Sequence, residues 1–304
     1  MKKMFFALFA VLGMVSCSNE EVIEVNREQI AFGEVFVDNA TRADYSTDKT
    51  VNAFKVYGTV SGTQIFNGAN VTRGSKANGE AWGCDGAAQY WLPSSTYNFA
   101  AIVDGEATAT TALPATIPFT VADGAGNLDL LYATAEVTTD EDAVPTGVNT
   151  NGVVAFDFSH LLSKLQFNIV NETNQKYQVT SIEVTGVAKD GIYTVGAATP
   201  WAKNGDATTT LTFGTATVAG GATVAASEAR QLLPVAQTLN VTITYDVLDA
   251  SDNVVGSLTK EGTITETFVK NTVYTVTATI SGKAINFTFS GTVGGWTEDD
   301  DLTI

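Results

Sequence analysis

Residues Val153–Val170 read VVAFDFSHLLSKLQFNIV, and the period of their apolar positions changes partway. Phe158, Leu161, Leu162 and Leu165 fall at i, i+3, i+4 and i+7, the spacing of one helical face over a turn or two. Leu165, Phe167 and Ile169 then alternate with Gln166 and Asn168, the spacing of a strand with one buried face. A short helical turn feeding a strand, placed after a polar segment, predicts the start of a second domain. The stretch also holds the single histidine, His160.

Working outward, the rest of the chain reads as strands. Val241, Ile243, Tyr245 and Val247 alternate with polar residues, and so do Tyr274, Val276, Ala278 and Ile280; each predicts a half-buried antiparallel strand. Upstream, Phe54, Val56 and Val60 share one strand face, as do Tyr97, Phe99, Ala101 and Val103. Asn67-Gly68, Asn78-Gly79, Asp85-Gly86, Asp104-Gly105 and Asp123-Gly124 punctuate these runs as turn pairs. No segment sustains helical periodicity for three turns. Val137–Asn151 is acidic, carries Pro145 and Gly147, and has no periodicity, so it reads as a linker. The expectation is an all-β chain with domains at 43–152 and 153–304. At 304 residues the length allows about two such units.

Composition agrees with a β-rich extracellular protein: only 16% of residues are charged, and Thr, Val, Ala and Gly abound. The net charge of −17, with no run of Lys or Arg, excludes nucleic acid as a partner class. Lys2 and Lys3 precede an apolar segment, Met4–Val15, that is too short to span a bilayer. Ser16 and Cys17 follow, and the arrangement resembles a lipoprotein signal peptide (residues 1–16) with Cys17 as the acylated residue. The alternative is an ordinary signal peptide with an incidental cysteine. With Cys17 lipidated, Cys84 has no partner and no disulfide framework exists; lying among Gly83, Asp85 and Gly86, it reads as an inert thiol. Glu28–Val37 (EQIAFGEVFV) is the first strand candidate. It carries Ile30, Phe32 and Phe36 on one face and Ala31, Val35 and Val37 on the other, which predicts a strand inserted into a sheet and covered on both sides.

The residues Phe158, His160, Leu161, Ser163, Lys164, Leu165 and Phe167 resemble the F-x-H-x-x-(S/A)-K-L-x-F signature of the fimbrillin family, subunits of the type V pili of Bacteroidales. Tyr90-Trp91-Leu92-Pro93, Asp129–Ala133, Gln231-Leu232-Leu233-Pro234 and Lys270–Tyr274 are similar to further family positions, in the family's order. The resemblance implies two tandem β-sandwich (transthyretin-like) domains. It also implies a removable N-terminal strand, a location at the outer membrane and cell surface as part of a fimbrium, and no cofactor. It implies that Asn39–Ala43 holds a maturation site where an arginine-specific protease cuts between Arg42 and Ala43, so that 17–42 is a propeptide. In polymerising members a C-terminal segment is donated to the next subunit. The exchanged residues would be Ile30, Phe32 and Phe36 on the leaving strand, with Leu302 and Ile304 as anchors on the incoming one. The border between an intrinsic last strand and a donated tail falls somewhere in 285–304. Partners would be other copies or related fimbrial subunits, the protease, and the membrane through the lipid. The other reading is a non-polymerising surface lipoprotein that binds a glycan or another ligand.

Catalytic readings find little to stand on. A Ser/His/Asp triad would have to use His160, whose neighbours Asp157 and Ser159 are adjacent in sequence, whereas triads assemble from distant segments. His160 instead reads as a packing or hydrogen-bonding residue at the domain junction. No His or Cys spacing suits zinc. Asp140, Glu141 and Asp142 lack the alternating spacing of a calcium loop and read as a solvated charge run. Among 33 acidic residues nothing selects a glycosidase pair. Trp82, Tyr90, Trp91 and Tyr97 could form a sugar-stacking platform, but core packing is the favoured reading.

Overall fold

In the computed structural model, residues 28–37, 51–74, 82–107, 111–124, 128–149, 152–281 and 284–293 are described. Twenty strands and no helix occur among them. In chain order they are β1 (Phe32–Val37), β2 (Ala53–Val60), β3 (Thr63–Arg73), β4 (Trp82–Cys84), β5 (Thr96–Val103), β6 (Thr116–Thr120) and β7 (Leu131–Thr139). Then come β8 (Pro145–Thr146), β9 (Val154–His160), β10 (Ser163–Asn171), β11 (Lys176–Ala188), β12 (Asp190–Thr194), β13 (Trp201–Lys203) and β14 (Thr208–Phe213). The last six are β15 (Ala216–Val218), β16 (Thr223–Leu232), β17 (Ala236–Leu248), β18 (Val254–Thr267), β19 (Thr272–Ser281) and β20 (Ala284–Val293). The all-β expectation holds.

The helical turn expected over Phe158–Leu165 does not form. β9 continues to His160, and β10 starts at Ser163. Phe158 ends one alternating run (Val154, Phe156, Phe158), Leu161 and Leu162 are the buried link, and Leu165 opens the next run. Two strands joined by a two-residue apolar link thus imitate the i, i+3, i+4, i+7 pattern of a helix. The link also moves the chain between sheets. β9 hydrogen-bonds in the first sheet, beside β7 and β1, whereas β10 lies between β16 and β19 in another. The crossing therefore falls after His160, downstream of residue 153.

The first sheet has eight strands in the order β1-β9-β7-β5-β2-β3-β4, with β8 against β7. It curls until its two ends approach: a Cβ placed on Gly33 of β1 would stand 3.3 Å from Trp82 Cδ1 of β4. The inner face carries Phe54, Val56, Tyr97, Phe99, Phe156 and Phe158 as one buried cluster. The outer face is apolar as well, with Tyr57, Ala100 and Ile102 buried in a second cluster. In the second half, β16-β10-β19-β20 faces β14-β11-β17-β18, with β15 against β11. Phe167 of β10 meets Phe213 of β14 edge-on across the layers at 4.7 Å.

The second cluster runs through both halves. β6 leaves the first half to pair with β12, which in turn pairs with β13. This three-stranded sheet brings Ile117, Phe119, Tyr193 and Trp201 over Tyr57, Ile102 and Leu130, in the same buried cluster as Leu165, Ile182 and Ile243. Both faces of β2 and β5 are consequently buried, unlike the one-sided strands that alternation alone predicts.

Candidate strand-exchange site

β1 has a polarised set of contacts. Its Glu28–Ile30 approach pairs with the segment before β5: Ile30 N–H donates to Gln89 C=O at 2.8 Å, and Trp91 N–H donates to Glu28 C=O at 3.1 Å. From Phe32 onward it runs parallel to β9, with Phe32 opposite Val154 and Val37 opposite Phe158. It ends the sheet path. The expectation of a strand inserted into a sheet and covered on both sides is met only in part: β1 joins the sheet, but at its end, and Phe36 and Val37 are half-buried.

A register shift between Phe32 and Val35 breaks the alternation read from the sequence. As a result Ile30, Phe32 and Val35 are all buried, while Phe36 and Val37 are half-buried. Gly33 sits inside the shift, wedged between Trp82 and Val153, where a methyl group has little room. Phe32 is the centre of the seat, 3% exposed. Its ring meets Phe66 at 5.3 Å and Phe99 at 5.6 Å, both edge-on, and stacks on Phe156 at 6.0 Å. One end strand thus plugs an aromatic pocket supplied by β3, β5 and β9.

The four aromatics weighed as a sugar platform separate. Trp91 and Tyr97 are core residues packed edge-on at 4.8 Å, Trp82 is half-buried against Phe54, and only Tyr90 is exposed, at 47%. Tyr97 is fixed by its hydroxyl, which accepts Leu92 N–H at 2.6 Å. Tyr274 repeats this device in the second half: its hydroxyl accepts Val269 N–H at 3.0 Å, again from five residues upstream. In the sequence Tyr274 stands out as a family position and Tyr97 only as a strand-face aromatic, and their shared role is not evident there; its signal is a Tyr placed shortly after a chain reversal at the start of a strand.

The signature residues around His160 form the crossing between sheets. Phe158 points into the first cluster, and Leu161, Leu162, Leu165 and Phe167 into the second. Leu161 N–H donates to Leu130 C=O at 3.0 Å, and Leu162 C=O accepts Asn271 N–H at 2.8 Å. Ser163 Oγ donates to Val269 C=O at 2.9 Å. His160 is 5% exposed, and its Nδ1 lies 2.9 Å from the Asp129 carboxylate. Ser159, the neighbour weighed as a nucleophile, is exposed while His160 is buried, so the strand's alternation turns the two apart. The His–Asp contact ties β9 to the segment before β7.

Cys84 is half-buried; burial, then the Asp85 charge beside it, pushes its thiol pKa up, which disfavours the thiolate. Asp140 builds its own turn by accepting the N–H groups of Asp142 and Val144, each at 2.9 Å. Among the described residues no three His, Cys, Asp or Glu side chains gather as a metal site. Of the residues expected to exchange, Ile30 and Phe32 are buried in the β1 seat, whereas Phe36, brought by the register shift opposite the exposed Asp157, lies half-buried outside that cluster. Cys17, Arg42, Ala43, Leu302 and Ile304 lie outside the described residues. β20 pairs antiparallel with β19 of its own chain from Ala284 to Val293.

The fimbrillin-like family model matches residues 41–296. Among solved structures, a fimbrial protein from Bacteroides vulgatus is similar at 18% identity and a TM-score of 0.59, covering 90% of this chain and 100% of that one. A candidate cell adhesion protein from Bacteroides ovatus is similar at 14% identity and a TM-score of 0.54, covering 90% of this chain and 99% of that one. Another from Bacteroides uniformis reaches 17% identity and 0.51, covering 88% and 98%. At these identities the structural likeness concerns the fold. No curated protein matches the chain. The match over most of the length shows that this chain belongs to the fimbrillin-like family, with a structural rather than an enzymatic role.

Proposed function

We propose that this chain is a polymerising fimbrial subunit, exported as a lipoprotein precursor acylated on Cys17, cut between Arg42 and Ala43, and assembled by strand exchange at the β1 seat. The observation that carries the reading is the mismatch in β1: it ends its sheet, yet its Phe32 fills the middle of an aromatic pocket. Each buried apolar side chain contributes roughly 1.5–3 kcal/mol. While tethered, β1 occupies the seat as an intramolecular competitor at high effective concentration. Cleavage at Arg42 removes the tether, and a departing β1 leaves the β9 edge and the pocket of Phe66, Phe99 and Phe156 open to another strand.

The pairing of β20 with β19 of its own chain supports a donated segment after Val293, with Leu302 and Ile304 as its apolar anchors. Such a head-to-tail contact does not close on itself and propagates as a filament. The outer membrane is the precursor's location through its lipid, and the fimbrium is the location of the cleaved subunit. The test is Arg42→Ala: precursor should accumulate at the cell surface, folded and unpolymerised, as read by intact mass and electron microscopy. Fibres of ordinary length built from that variant would end the proposal. Trp91 and Tyr97 are buried while Tyr90 is exposed, so these aromatics do not combine into a sugar-stacking platform for the glycan-binding alternative.

A further inference from the structure

β18, Val254–Thr267, is the longest strand among the described residues, and it closes the path β14-β11-β17-β18 with its outer edge unpaired by any described strand. Its first residues, Val254 and Val255, are apolar and more than half exposed (54% and 63%). An open edge of this length is a template for another strand, and natural edges are usually blunted by charge. β18 carries three charges over its length, Lys260, Glu261 and Glu266. Lys260 lies opposite Ile243 and Glu266 opposite Gln237, both buried, so the two charged side chains share the face that turns toward the second core. Neither makes an ion pair within the chain among the described residues.

Two identical strands that pair antiparallel about a two-fold axis must place one residue opposite itself, because directly opposed pairs alternate between bonded and non-bonded types. Only a limited set of registers is therefore open to β18. An axis through Lys260 sets lysine against lysine, and one through Glu261 sets glutamate against glutamate; both are repulsive. An axis through Gly262 leaves every charge opposite a neutral residue. The axis through Thr263 alone sets unlike charges in opposition. It places Lys260 opposite the partner's Glu266, and Glu266 opposite the partner's Lys260. In the same register Glu261 faces the partner's Thr265, and Thr259 faces the partner's Thr267.

We infer that the β18 edge is a self-association surface for a second copy of this chain, in the antiparallel register centred on Thr263 and fixed by two Lys260–Glu266 pairs. The contact is two-fold and closed, so it joins two molecules side by side; it does not extend a filament. It stands apart from the β1 seat and needs no cleavage at Arg42. Pairs between part-exposed side chains are modest in strength and screened by salt, so the association is weak and falls with ionic strength.

The test uses the full-length chain with Cys17→Ser and Cys84→Ser, which leaves no native thiol. In that background Thr263→Cys lies on the axis and should give a covalent dimer with a short bis-maleimide. Thr259→Cys, displaced from the axis, should give little. By sedimentation equilibrium at low salt, Lys260→Glu should weaken self-association on the order of tenfold by turning two attractions into two repulsions. Adding Glu266→Lys to it should restore the association. Equal crosslinking at 259 and 263, failure of the double variant to restore dimers, or a parent chain that stays monomeric at millimolar concentration would each overturn the inference. None of these results bears on fibre formation from the Arg42-cleaved chain, so the two proposals fail separately.

Discussion

The indole Nε1–H of Trp201 donates to the backbone carbonyl of Leu161 at 2.7 Å. Trp201 belongs to β13 in the small three-stranded sheet, and Leu161 belongs to the link between the first sheet and β10. Both are buried in the cluster that runs through the two halves. One hydrogen bond thus fastens the crossing point to the small sheet that covers the first half, where Tyr193 also meets Trp201 edge-on at 5.5 Å.

Trp201→Phe removes this donor while keeping an aromatic ring. A buried carbonyl deprived of its partner costs about 1–3 kcal/mol, and chemical denaturation should show a loss of that size. A variant as stable as the parent would mean that the indole contact does not hold the crossing in place.

Phe32→Ala empties the aromatic pocket beneath β1, a change of the kind that costs about 3–5 kcal/mol. Because β1 ends its sheet, the loss should be local. The Val154 amide, which donates to Ala31 C=O at 2.9 Å, should exchange with solvent much faster by hydrogen-exchange mass spectrometry or NMR. Amides of β10 and β19, in the other half, should be unchanged. Uniform acceleration throughout the chain would show that β1 is part of one cooperative unit and not a separable plug.

Alkaline pH should destabilise the fold through its tyrosines. Burial, with a smaller contribution from Tyr193, pushes the Tyr132 pKa up to about 12. Burial likewise raises Tyr57, Tyr193, Tyr245 and Tyr274 above their ordinary value. A phenol whose folded pKa exceeds its unfolded one holds its proton longer when folded. The unfolded chain then releases protons first, and stability falls as pH rises above about 10. For Tyr132 the loss is complete near pH 12. Denaturation midpoints measured from pH 9 to pH 12 should decline over this window, with tyrosinate absorbance of the native protein lagging that of the unfolded protein. Tyr132→Phe should make the decline shallower; an unchanged slope would assign it to the other tyrosines.

Much of the fold was legible because alternation is a local property. Val241–Val247 and Tyr274–Ile280 lie where their period of two puts them, in β17 and β19. The seat of Phe32 was legible in part: an apolar strand at the start of the chain was evident, but its bulge at Gly33 and its place at the end of the sheet were not. A register shift depends on which neighbour a strand meets, and that neighbour, β9, lies more than a hundred residues away. Phe158–Leu165 misled for the opposite reason. The apolar spacing was real, but two strands and a buried link generate it as well as a helix does.

The sequence by itself determined that this chain is all β, that it is anionic, and that it carries the ordered motifs of the fimbrillin-like family, because those features reside in residue identity and short spacing. Only the tertiary structure decided that β9 stays with the first sheet while β10 joins the second, that β6 crosses to pair with β12, and that one apolar cluster serves both halves. The physical reason is that burial is collective. Whether the outer face of β2 or β5 meets water or protein depends on residues far along the chain that cover it, here Ile117, Tyr193 and Trp201, and no local pattern records that meeting.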